Sequence, residues 1–104
     1  MNNVLVISKS QPQSKSFEKF MNEYTEKNNL PIKWIYANDK AYTEVLEKED
    51  VKVVIISPEV MLVQSKIMAD LDSRKMPYIV IKPSAFGLKQ TEKFMPDIMK
   101  YIEE

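Results

Sequence analysis

Residues 4–7 read Val-Leu-Val-Ile, four apolar side chains with nothing polar between them. Successive side chains of a strand point to opposite faces, so such a run needs cover on both sides. That is how a strand inside a parallel sheet reads, with helices above and below it. The first strand is placed at Asn3–Ser8 and a second of the same kind at Val51–Ile56, the most apolar and the most central. Ile32–Ala37 and Tyr78–Ile81 supply two more. Pro31 and an outward Lys33 suit an edge for the former, with Trp34 and Tyr36 together on its other face.

Between these runs the apolar period lengthens to that of a helix. Phe17, Phe20, Met21 and Tyr24 form one stripe, stopped by Asn28 and Asn29. Asn38 or Asp39 caps a short helix through Glu47 that turns Ala41, Val45 and Leu46 inward. Ser57 and Pro58 open a third helix with the stripe Val60, Val63, Ile67 and Leu71, and Met68 alongside. Pro83 to Gln90 reads as a loop around the only glycine, Gly87, which is expected to supply a positive φ. A last helix from Thr91 buries Phe94, Met95, Ile98 and Ile102, with a kink or a separate first turn expected at Pro96. The alternation implies a single α/β domain over residues 1–104, a three-layer sandwich with a parallel sheet between helices.

In such sheets ligands bind beyond the carboxyl ends of the strands. The loops there are residues 8–16, 57–59 and 82–90. Composition limits what they can do. The 104 residues contain no cysteine and no histidine, and 15 basic residues balance 15 acidic ones. There is no thiolate, no imidazole base and no net field to recruit nucleic acid. No apolar run approaches membrane-spanning length, so a cytoplasmic protein without membrane insertion is expected.

The order of residues resembles the IIB component of the lactose/cellobiose (chitobiose) branch of the bacterial phosphoenolpyruvate-dependent sugar phosphotransferase system. In that family the first strand ends in a cysteine, followed by a loop of the type C-(A/S)-A-G-M-S-T-S. Val4–Ile7 match the strand, Ser8 falls on the cysteine, Lys9–Lys15 occupy the loop and Met21 matches a methionine of the first helix. The family's V-V-L-L-G-P-Q matches Val53-Val54-Ile55-Ile56-Ser57-Pro58-Glu59. Its V-I-D-x-x-x-Y-G matches Val80-Ile81-Lys82-Pro83-Ser84-Ala85-Phe86-Gly87. The resemblance implies a four-stranded parallel sheet in order 2-1-3-4. It also implies a phosphocarrier that relays a phosphoryl group from a IIA protein to sugar at the IIC membrane transporter, with no cofactor or metal. A monomer is the expected state.

The resemblance places the phosphorylated position at Ser8 and the phosphate loop at Lys9, Ser10, Gln11, Pro12, Gln13, Ser14, Lys15 and Ser16. Ser57, Pro58, Glu59, Phe86 and Gly87 stand close by. The loop is where the chain departs from the family: glycine becomes Gln11, methionine Pro12, and S-T-S becomes Gln13-Ser14-Lys15. An engineered change at Ser8 accounts for one departure, and divergence of the whole loop for all five. A thiol of pKa about 8.5 yields a thiolate near neutral pH, whereas a serine needs a base beside it. Glu59 is the available candidate, against its plainer role as a first-turn carboxylate.

Two readings of the loop stay open. One is an anion site built from helix N–H groups, the serines, Lys9 and Lys15. The other is a solvated turn with Ser14 or Ser16 as helix cap. Two functions follow accordingly: a phosphocarrier made inactive by Ser8, or a catalytically dead IIB-like binding or regulatory module. A flavin or nucleotide binder is disfavoured, since the loop has no glycine for close backbone approach. Trp34 and Tyr36 either cover the sheet or dock a partner. Met61, Met68, Met95 and Met99 are expected in the core, and Glu23, Glu26, Glu44, Glu47 and Glu49 in solvent.

Overall fold

A computed structural model describes residues 2–102 of the chain. The expected span of 1–104 therefore has residues 1, 103 and 104 outside the described part. The strands are β1 (Asn2–Ile7), β2 (Ile32–Ala37), β3 (Val51–Ile56) and β4 (Tyr78–Val80). The helices are α1 (Pro12–Lys27), α2 (Tyr42–Lys48), α3 (Gln64–Ser73), α4 (Pro83–Gly87) and α5 (Thr91–Met99), with a 3-10 segment at Pro58–Val63. The sheet is all parallel in order β2-β1-β3-β4.

Both faces of the sheet are covered, as the unbroken apolar runs require. Val4, Val6, Val53 and Ile55 pack with Phe17, Met21, Phe86, Phe94 and Ile98 from α1, α4 and α5. Leu5, Ile7, Val54 and Ile56 pack with Tyr42, Val60, Ile67 and Leu71 from α2, the 3-10 segment and α3. Alternation along each strand thus feeds two cores. Trp34 and Tyr36 lie against the first of them, and Trp34 Nε1 donates to Thr25 Oγ1 at 2.7 Å.

Several expectations shift. The residues 83–90 are not all loop, because α4 forms at their start. Proline at its first turn presets φ, and Ala85 and Phe86 are buried. Five residues are too few for a helical period to show in sequence. The single third helix divides into the 3-10 segment and α3, with Val60 at φ −108°, ψ 23° breaking the regular winding. In α2 the buried residue is Tyr42, while Ala41, Val45 and Leu46 are half-buried. α5 runs through Pro96 without a separate first turn, and Ile102 lies beyond its end. Met95 is buried and Met68 half-buried, but Met61 and Met99 are exposed, so the methionines are only partly core.

Gly87 does not have a positive φ; Lys89 takes that conformation, at 54°. The left-handed residue that closes α4 therefore falls two positions after the glycine, where Gln90 N–H donates to the Ala85 carbonyl. A Cβ on Gly87 would meet only Gln13 Nε2, at 2.7 Å, the movable end of a side chain. Gly87→Ala is expected to be neutral or to stabilise by about 0.5 kcal/mol, and Lys89→Gly to stabilise by a similar amount. Thermal midpoints of the two variants check this.

Candidate functional site

β1 and β3 end side by side at Ser8 and Ser57. Ser57 N–H donates to the Ile7 carbonyl at 3.2 Å, and Ser8 N–H to Ala37 at 2.9 Å. Neither serine is at the surface: Ser8 is 2% exposed and Ser57 1%. Ser57 keeps extended backbone (φ −82°, ψ 160°), so strand alternation sets its side chain on the face of Val53 and Ile55. Its Oγ is buried with no hydrogen-bond partner among the described residues.

After Ser8 the chain makes a tight exposed turn, with Ser10 at φ 57°. A non-glycine residue there is strained, typically by about 1–2 kcal/mol. α1 then starts at Pro12, earlier than the loop assignment 8–16 implied, so Gln13, Ser14, Lys15 and Ser16 form its first turns. Pro12 at this position removes a donor that the helix does not use. Neither Ser14 nor Ser16 caps the helix. The cap position is Gln11, whose side chain makes no capping bond, and Ser14 Oγ donates back to the Gln11 carbonyl at 2.9 Å.

The capping acceptor comes from far along the chain. Glu59 Oε1 accepts from Lys9 N–H at 2.8 Å, and Oε2 accepts from Ser14 N–H at 3.2 Å. Ser14 is the third residue of α1, the position an N-cap side chain ordinarily serves. A half-buried carboxylate thus bridges the loop and the helix start, where anions are favoured by both free N–H groups and the helix dipole. Glu59 occupies the anion-binding groups with its own charge. It makes no hydrogen bond to Ser8, so it is not a base for that hydroxyl as placed.

On the other side of the loop, Gln13 packs over Gly87, and the ring of Phe86 stacks on Phe17 with centroids 4.6 Å apart. Glu59 and Gly87 have exposed apolar neighbours: Leu62 is 95% exposed, Met61 54% and Leu88 71%. Lys9, in the loop, and Lys15, in the first turn of α1, are exposed. The carboxyl end of the sheet therefore presents apolar side chains and lysines around a loop whose central anion is internal. Among the described residues no group of acidic side chains converges as a metal would require. No helix is long and apolar enough to cross a membrane.

A polar cluster that sequence reading missed lies on the other helix layer. Tyr42 donates its hydroxyl to Asp70 Oδ2 at 2.7 Å, and Arg74 Nε donates to the same oxygen at 3.0 Å. The Tyr42 hydroxyl is pushed up to about 12, first by burial and then by Asp70. The Asp70 carboxyl is held down, first by the Tyr42 hydroxyl and then by Arg74. Tyr36 is raised too, by burial and then by the charge of Glu18, and its hydroxyl is buried without a partner. A tyrosine with a raised folded pKa gives stability that is complete below its ordinary value of 10.0 and fades as pH climbs toward the folded value. Stability is therefore expected to fall from about pH 10 upward. Asp70 acts in the opposite sense, its contribution being lost as acid protonates it. Thermal midpoints across pH for the wild type, Tyr42→Phe and Asp70→Asn check both limbs.

A scan against protein-family models finds none that matches the chain, and a search of the curated proteins finds no match.

Proposed function

We propose that the chain is a IIB-like domain of a sugar phosphotransferase system that acts in the cytoplasm, as a monomer, by binding partner proteins rather than by relaying phosphoryl groups. The observation that carries this reading is the Glu59 carboxylate held by Lys9 N–H and Ser14 N–H. A phosphate dianion bound there would have to displace that carboxylate or sit against it. Ser8 adds a second obstacle, a hydroxyl with no imidazole in the chain to take its proton. The strand order 2-1-3-4 agrees with the order that the resemblance implies. The exposed Met61, Leu62 and Leu88 beside Lys9 and Lys15 suit a partner surface with an apolar centre and acidic rim, such as a IIA protein or the cytoplasmic side of a IIC transporter.

The test is phosphoryl uptake read by intact mass, with phosphoenolpyruvate, the general phosphotransferase proteins and a cognate IIA supplied. The wild type and Ser8→Cys are expected to stay unmodified, and Ser8→Cys with Glu59→Gln to gain one phosphate. The same IIA is expected to shift the amide signals of Lys9, Leu62 and Leu88 in the wild type. Uptake by the wild type would make it a working phosphocarrier and overturn the proposal. Absence of any IIA-induced shift would remove IIA as a partner.

A further inference from the structure

β4 is an edge strand, and part of its backbone has no strand to meet. Val54 N–H donates to the Pro77 carbonyl and Ile81 N–H to Ile56, so residues 77, 79 and 81 face β3. In a parallel ladder alternate residues turn both backbone groups the same way, and Tyr78 and Val80 therefore turn theirs outward. A groove runs beside this edge, between β4 and α5. One part, about 360 Å³, is bordered by Ile79, Val80, Lys82, Lys93, Phe94 and Asp97 among others. A second part of about 360 Å³ continues along Tyr78, Val80 and Asp97 to Lys100 and Tyr101. Ile79, Val80 and Asp97 border both parts, so the two adjoin along the strand.

Ile79 belongs to the face of the sheet that α5 covers. A strand laid against Tyr78 and Val80 would drop every second side chain into the space beside α5. We propose that the β4 edge receives an extended acidic segment of a partner protein as a fifth strand, with carboxylates on the groove side against Lys82 and Lys93 and the alternate apolar side chains on the opposite face of the sheet. Charge selects this occupant. Asp97 is engaged by Lys100 at 3.4 Å. Lys82 and Lys93 are exposed and have no ion pair among the described residues. A second copy fits poorly. Antiparallel pairing centred on Ile79 would bring Lys82 of each copy toward Arg74 and Lys75 of the other, like charges across the join.

The probe is a short peptide alternating valine and glutamate, with a valine–lysine peptide as control, added to the isotope-labelled chain. The expected result is slowed hydrogen exchange at the Tyr78 and Val80 amides with the acidic peptide only. Val80→Pro removes one outward donor at a position where an edge strand tolerates proline, and should weaken binding by about tenfold. Lys82→Glu with Lys93→Glu, both at the surface, should transfer the preference to the lysine peptide, and keeps the test open if the proline variant does not fold. Equal binding of the two peptides would overturn the proposal. So would protection at β2 in place of β4, or no protection at saturating acidic peptide. The peptides contain no phosphotransferase component, so this result is independent of the reading under Proposed function.

Discussion

Replacing Phe86 with alanine is expected to cost about 3–5 kcal/mol, the usual range for deleting a buried aromatic ring. Phe86 is fully buried, stacked on Phe17, which in turn meets Phe94 at 5.7 Å. The three rings tie α4, α1 and α5 together over the β1–β3 face. The hole left would be lined by rigid strand residues that cannot collapse into it. Against a total stability of about 5–15 kcal/mol for domains in general, such a loss leaves little or no margin. Leu88→Ala, two residues on and largely exposed, should change stability by no more than about 0.5 kcal/mol. Urea midpoints for the pair decide the matter. A Phe86→Ala shift no larger than that of Leu88→Ala would show that α4 is not part of the core.

Glu59→Ala should cost about 2 kcal/mol. Two charge-assisted bonds are lost, each typically worth about 1.5–3 kcal/mol. The exposed Lys9 N–H can turn to water, which brings the sum down, while loss of the helix cap alone accounts for about 1 kcal/mol. The thermal midpoint should fall by roughly 10 °C, and exchange at the Lys9 and Ser14 amides should quicken. Glu59→Gln keeps one acceptor and should lose about half as much. Emptying the amides has a second effect. Inorganic phosphate should raise the midpoint of Glu59→Ala in a concentration-dependent way and leave the wild type nearly unmoved, since only the variant offers free helix N–H groups to the anion. Equal phosphate response in both proteins would mean that Glu59 does not hold the site.

The strands were legible because their signal is redundant. Val4–Ile7 and Val53–Ile56 leave no register in which a side chain could face solvent; β2 and β3 keep the expected bounds, β1 begins and ends one residue earlier, and β4 ends one residue sooner. α1 was equally plain, with Phe17 and Met21 inward and Asn28–Asn29 at its end, Asn29 at φ 52°. Short elements were not legible. α4 is one turn and a half, too brief for a period, and its burial comes from Phe17, far away in sequence. Glu59 does lie in the first turn of its own 3-10 segment, as its plainer role requires, and does not serve Ser8. Its real partners are 50 and 45 residues distant, and no local pattern encodes them. Tyr42 escaped for the same reason, its phenol satisfied by Asp70 on another helix. The glycine misled because its left-handed role passed to Lys89, a residue that gives no sequence signal for it.

The strand order also bears on how the chain is made. β1 lies inside the sheet, yet it leaves the ribosome before either strand that flanks it. Its register joins Asn2 to Ile32 on one side and Asn3 to Val51 on the other. During synthesis the Val4–Ile7 segment therefore keeps one edge open until Ile32–Ala37 have emerged, and the other until Val51–Ile56, at the middle of the chain, have followed. Closing such distant pairs makes parallel sheets slow to form, and unpaired apolar strands are where growing chains aggregate. The polar turn Ser8–Gln11 and the lysines of α1 lie immediately downstream, so the first stretch to join β1 outside the ribosome is charged and soluble, a natural gatekeeper for the interval before its partners arrive.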